Sequence, residues 1–131
     1  MKEQGISDYL ITGSEFTVQN GYSETLLLLQ NKKLPTAIFS FSNTIALGCI
    51  KAIREFDLRI PEDISLLTFD NHPYLDYLAT PLTCIAQPVS DICQIAIKLL
   101  FSLINNEEVS TREVLLKPKL IRRSSVMRLK S

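Results

Sequence analysis

An acid that ends an apolar run is the first place to look for chemistry, and Leu66-Leu67-Thr68-Phe69 stops abruptly at Asp70-Asn71-His72. Three further polar points follow apolar runs in the same way: Gly13 to Phe16, Ser40 to Asn43, and Gln87. Together these stretches supply two carboxylates, side-chain amides, hydroxyls and an aromatic face. Such a set suits a polyol, held by hydrogen bonds and by stacking on a ring. Asp70, Asn43, Phe16 and Gln87 are therefore candidate ligand contacts. Each also has a structural alternative: Asn43 as a helix cap, Asp70 as a turn former beside Asn71, Phe16 as a core aromatic, and Gln87 as a partner for backbone groups before Pro88.

Catalysis asks for more than this. His72 is the single histidine, and a small enzyme pairing it with Asp70 is one alternative. Gly-x-Gly-x-x-Gly, Gly-x-x-x-x-Gly-Lys-Ser/Thr and Gly-x-Ser-x-Gly are all missing, so phosphate cradles and a nucleophile elbow have no support. Cys49, Cys84 and Cys93 are odd in number, lack metal-ligand spacing and lie in apolar runs, which predicts three buried free thiols. No catalytic residue, metal or cofactor is expected.

The candidates must be positioned by the elements around them. Asp8 to Thr12 reads as a short strand closed by Gly13-Ser14, and Val18, Tyr22, Leu26 and Leu29 then trace one face of a helix. The alternation repeats. Ala37 to Phe41 is a strand, Ser42-Asn43 a cap, and Ile45, Ala46, Cys49, Ile50 and Ile53 a helical stripe. Ile64 to Phe69 is a strand apolar enough to be buried on both faces. Tyr74 to Leu78 suggests one or two helical turns, and Thr83 to Ala86 a fourth strand. Ser90 is expected to cap a long helix through Ile104 that is apolar nearly all round and needs cover on more than one side. Beyond the break Asn105-Asn106-Glu107-Glu108, strand-like runs appear at Glu113 to Leu116 and Leu120 to Val126. Strands alternating with helices over short loops predict an α/β fold with a doubly wound, mainly parallel sheet, whose ligands bind beyond the carboxyl ends of the strands. The four polar stretches would then share one rim.

A length of 131 residues with 46% hydrophobic and 21% charged content fits one domain with a real core. No apolar stretch is long enough to span a bilayer and the first residues lack a secretory signal, so a cytoplasmic setting without membrane contact is expected. The net charge is zero, yet Lys117, Lys119, Arg122, Arg123, Arg128 and Lys130 all follow the last acid, Glu113. The interleaved Leu116, Leu120, Ile121 and Val126 read this tail as a terminal strand with solvated charges rather than a DNA contact.

Four ordered blocks carry a family resemblance. Pro35 to Gly48 (Pro-Thr-Ala, a strand, Ser-Asn, then Ala-Leu-Gly) is followed by Leu58-Arg59-Ile60-Pro61-Glu62-Asp63-Ile64-Ser65, by Phe69-Asp70-Asn71, and by Pro81-Leu82-Thr83 through Gln87-Pro88. With Gly21-Tyr22 after Phe16-Thr17, the chain from about Gly5 onward resembles the lac repressor/galactose repressor (LacI/GalR) family. That resemblance implies an incomplete lobe of the type I periplasmic binding protein-like fold, with residues 1–88 mostly the carboxyl-terminal lobe, 89–116 a crossover helix and strand, and 117–131 a terminal strand and tail. It implies an effector held between two lobes, a homodimer, and DNA binding only through a helix-turn-helix not found in this chain. By position, Asp70 and Ser42 resemble the family's effector contacts, Phe16 its stacking aromatic and Gln87 a residue at the crossover. Asn43 stands where Asp is usual, Ser42 where many members have Asn, and Thr12 where some have Arg. Ser42 and the Phe-Asp-Asn string also occur in catabolite control proteins, so the implied partner is a sugar-like effector or a protein corepressor. A periplasmic-type sugar-binding protein of the same architecture is the alternative. The family's crossover helix packs on the other lobe, so the segment Ser90 to Ile104 is expected to pair with a second copy or to expose an apolar patch.

Overall fold

A computed structural model describes residues 9–107 and 113–129; Gly5, Asp8, Glu108 and Lys130 fall outside them. The elements alternate as α1 (Val18–Leu29), β1 (Ala37–Ser40), α2 (Asn43–Glu55), β2 (Ser65–Phe69), a 3-10 turn (Pro73–Asp76), β3 (Thr83–Ala86), α3 (Val89–Ile104) and β4 (Lys119–Ile121). They form one sheet in the order β1-β2-β3-β4, parallel except for the antiparallel β4. This is the expected α/β architecture with a mainly parallel sheet.

Alternation along the strands sends Ile38, Leu66 and Cys84 to one face, where they meet Ala46, Cys49, Leu75 and Leu82 in a buried cluster. A second cluster joins Leu29 of α1 to Ala52 and Ile53 of α2 and to Ile64. The two helices run side by side in the same direction: Gly21 meets Ile45, and Leu29, eight residues on, packs with Ala52 and Ile53. Beside Gly21, Tyr22 donates its hydroxyl to Glu55 at 2.5 Å and carries the Lys51 ammonium 4.3 Å from its ring centre. Small residues permit this approach. A Cβ at Gly48 would lie 2.2 Å from the Val18 carbonyl oxygen, and one at Gly21 would lie 2.4 Å from that of Ile45.

The tail closes the base of the sheet. Ser125 is fully buried; its Oγ donates to the Leu66 carbonyl at 2.6 Å and accepts from the Thr83 N–H at 2.8 Å, while its carbonyl takes the Leu66 N–H at 2.9 Å.

Several expectations give way here. Tyr9 to Thr12 form no strand, and Tyr9, Leu10 and Ile11 are exposed. The ladder begins at β1, so that segment has no neighbour to complete its N–H and C=O groups. Glu113 to Leu116 form no strand either, having no laddered neighbour, and of the run Leu120 to Val126 only Leu120 and Ile121 are laddered, within β4. The helical turns expected at Tyr74 to Leu78 are a single 3-10 turn whose N-terminal position is fixed by Pro73. Helix α3 starts at Val89 after Pro88 without a side-chain cap, so Ser90 lies inside it and accepts from Gln94 at 3.3 Å.

Helix α3 buries none of its residues and exposes Ile97, Leu100, Phe101, Leu103 and Ile104, an apolar face available either to solvent or to a second copy. On the other sheet face Phe39, Leu67, Phe69 and Ile85 are only half-buried.

Cys49 and Cys84 are buried as expected, but Cys93 is exposed because α3 packs on nothing that would cover it. Burial also pushes the Cys49 thiol up, away from the reactive thiolate. Brief iodoacetamide treatment of the native chain, read by peptide mass spectrometry, should therefore modify Cys93 and spare Cys49 and Cys84 until denaturant is added.

Candidate functional site

Parallel pairing of Ser40 with Thr68 and of Phe69 with Ile85 brings the carboxyl ends of β1, β2 and β3 to one rim. Asp70 is the centre of that rim. Its N–H donates to the Ile85 carbonyl at 2.9 Å, and its Oδ1 accepts from Gln87 Nε2 at 2.7 Å. Asn43, with its amide nitrogen turned toward the end of β2, donates to the carbonyls of Asp70 at 2.9 Å and Phe69 at 3.2 Å. Three of the expected contacts, Asp70, Gln87 and Asn43, thus form one cluster. The φ of Asp70 is 70°, in the left-handed region, which costs a non-glycine residue about 1 kcal/mol and is tolerated by Asp better than by most. Bonds on both sides of this residue hold it there.

The capping role expected of Asn43 belongs to Ser42. Its Oγ accepts from the Ile45 N–H at 3.2 Å, which frees the Asn43 side chain, one residue inside α2, for the end of β2. Phe16 takes no part in that hydrogen-bonded cluster: it is 70% exposed in the loop before α1, which rules out the core-aromatic alternative. That loop is shaped by Gly13, at φ 92°, and by Asn20, which accepts from the Glu15 N–H at 3.4 Å; Thr17 caps the helix. Because α1 and α2 run the same way, the loop lies at the end of the molecule that carries Ser42. Thr12 donates to the Glu24 carboxylate.

His72 is otherwise occupied. Its Nδ1 accepts from the Tyr74 N–H at 3.4 Å and its ring lies 4.5 Å from that of Tyr74, while the Asp70 carboxylate is turned to Gln87. Among the described residues no hydrogen bond joins Asp70 to His72.

The sequence profile of the periplasmic binding protein-like domain matches residues 1–126, nearly the whole chain. The chain belongs to the periplasmic binding protein-like domain family. Relatives of this binding protein-like domain are the regulators that the four motif blocks indicated. The ribose operon repressor of Haemophilus influenzae is 34% identical over 95% of this chain and 38% of its own length. The HTH-type transcriptional repressor PurR of Pasteurella multocida is 36% identical over 96% of this chain and 38% of its own. The solved LacI family transcriptional regulator of Enterococcus faecalis V583 with bound ribose matches at a TM-score of 0.85 and 32% identity, over 97% of this chain and 46% of that one. The domain described here thus spans less than half the length of these relatives.

The binding protein-like domain also contains a nearly buried cation within its basic tail, where solvated charges were expected. The Arg123 side chain is only 10% exposed and lies beneath the Asp70–Asn71 loop. Its guanidinium donates to Asp76 at 2.5 and 3.2 Å, to Asn71 Oδ1 at 2.9 Å, to the Leu82 carbonyl at 2.7 Å and to Cys84 Sγ at 3.3 Å. Hydrogen bonding to Asp76 raises its pKa further, so it is charged throughout the physiological range. Asn71 and Asp76 lie far away in sequence, and a basic residue in a basic tail gives no signal of such partners.

Proposed function

We propose that this chain is the effector-sensing portion of a LacI-type transcription repressor, supplying one wall of the effector site through Asp70, Gln87, Asn43, Ser42 and Phe16. The observation that carries this reading is the Asp70–Gln87–Asn43 cluster at the carboxyl rim of the parallel strands, where doubly wound sheets receive their ligands. Oδ1 of Asp70 is held by Gln87, and among the described residues nothing bonds to Oδ2, which is therefore placed to take a ligand hydroxyl. The exposed ring of Phe16 provides an apolar face at the same end of the molecule. On this reading residues 1–88 are mostly the carboxyl-terminal lobe, 89–116 the segment crossing to the opposing lobe, and 117–131 the returning strand and tail. The working regulator is a cytoplasmic homodimer that reaches DNA through a helix-turn-helix lying outside these 131 residues.

Calorimetric titration tests this. Ribose, sugar phosphates and purines are the ligand classes to try, and one of them should bind with an affinity that Asp70→Ala lowers about tenfold or more, as expected for a lost hydrogen bond to a charged group. Binding that survives both Asp70→Ala and Gln87→Ala would place the site elsewhere. Failure of every class to bind would turn the reading toward a protein corepressor.

A further inference from the structure

We propose that Arg123 is a positioning residue for the Asp70 contact, holding the loop after β2 from beneath; its role in binding rests on the effector reading above. A residue at φ 70° keeps that conformation only while its neighbours fix it on both sides. On the near side, Asp70 is fixed by its own N–H on Ile85 and by Gln87 on its carboxylate. On the far side, the next residue, Asn71, is tied through Oδ1 to Arg123 at 2.9 Å and to Cys84 Sγ at 3.4 Å. The guanidinium is itself locked between Asp76 and the Leu82 carbonyl, so it presents one N–H to Asn71 in a set direction. Arg123 therefore links the terminal strand, the 3-10 turn and the end of β2 in one network with Asp70 at its upper end.

The planar fork is what permits this. A lysine at 123 keeps the charge beside Asp76 but cannot serve Asp76, Asn71 and the Leu82 carbonyl together. A merely structural anchor would behave differently, because the backbone of residue 123 has its own attachment: its N–H donates to Thr83 Oγ1 at 2.9 Å, and its carbonyl accepts from the same hydroxyl at 3.3 Å. Thr83→Val removes that attachment and leaves the guanidinium contacts in place.

The side-chain amide of Gln87 reports the arrangement without ligand, since its NMR signals depend on the 2.7 Å bond to Asp70. In the full chain, Arg123→Lys and Asn71→Leu should move these signals to the values of a solvated glutamine, Asn71→Asp should keep them, and Thr83→Val should lower the Tm without moving them. Ribose affinity should fall about tenfold in the first two variants. Unmoved Gln87 signals in a folded Arg123→Lys chain, or equal movement in Thr83→Val, would overturn the proposal; if Arg123→Lys does not fold, the Asn71 pair decides it alone. Absence of ribose binding by the unmodified chain counts against ribose as effector only, and the Gln87 signals then still decide for or against Arg123.

Discussion

Gly48→Ala is expected to destabilise the chain by about 3 kcal/mol, the upper part of the range for forcing extra volume into a packed core. Two effects oppose each other in this substitution. Alanine favours a helix over glycine by about 1 kcal/mol, which alone would stabilise α2. The new methyl, however, would sit 2.2 Å from the Val18 carbonyl oxygen and 2.5 Å from the Tyr22 nitrogen, and both are backbone atoms of α1 that no rotamer change can move. Helix α1 would have to lift away, opening the cluster of Leu29, Ala52, Ile53 and Ile64. The steric term wins. Urea unfolding followed by circular dichroism should show a lower midpoint, and a midpoint equal to or above that of the unmodified chain would mean that the helices separate at little cost.

The alternation of elements was legible because it rests on local patterns. The stripe Val18, Tyr22, Leu26, Leu29 and the cap beside Asn43 lie within single helices, and each became the helix expected of it. Prediction failed where a segment depends on a distant neighbour. Tyr9 to Thr12 and Glu113 to Leu116 have strand-like composition, but a strand exists only with a partner, and the sheet offers them none. Part of the candidate site was equally legible as a cluster: Asp70, Asn43 and Gln87 lie at strand or helix ends that a parallel sheet gathers at one rim, and they do meet. The place of Phe16 relative to that cluster was not, since a loop residue ahead of a helix carries no pattern that fixes its direction. Arg123 was hidden by its surroundings in sequence, and Cys93 was misjudged because an apolar helix looks buried whether or not anything covers it.

Ser125→Ala should cost about 3 kcal/mol, the penalty of leaving a buried donor and a buried acceptor without their partner. The hydroxyl bridges the Leu66 carbonyl and the Thr83 N–H inside the protein, and alanine can serve neither. Ser124→Ala next to it is the control: that hydroxyl is exposed, its bond to the Pro81 carbonyl is 3.4 Å long, and its loss should stay within about 0.5 kcal/mol. Equal unfolding midpoints for the two variants would show that water reaches the base of the sheet and replaces the bridge.

The same bridge bears on the order in which the fold can be completed as the polypeptide is made. Leu66 and Thr83 emerge long before Ser125, and each then carries a backbone group whose native partner does not yet exist. The two helices and the parallel strands can gather early, since the segments joining them are short. The base of the sheet stays wet until residue 125 has been added, so the sealed form cannot precede that serine, and any product that stops before it has an unsealed core.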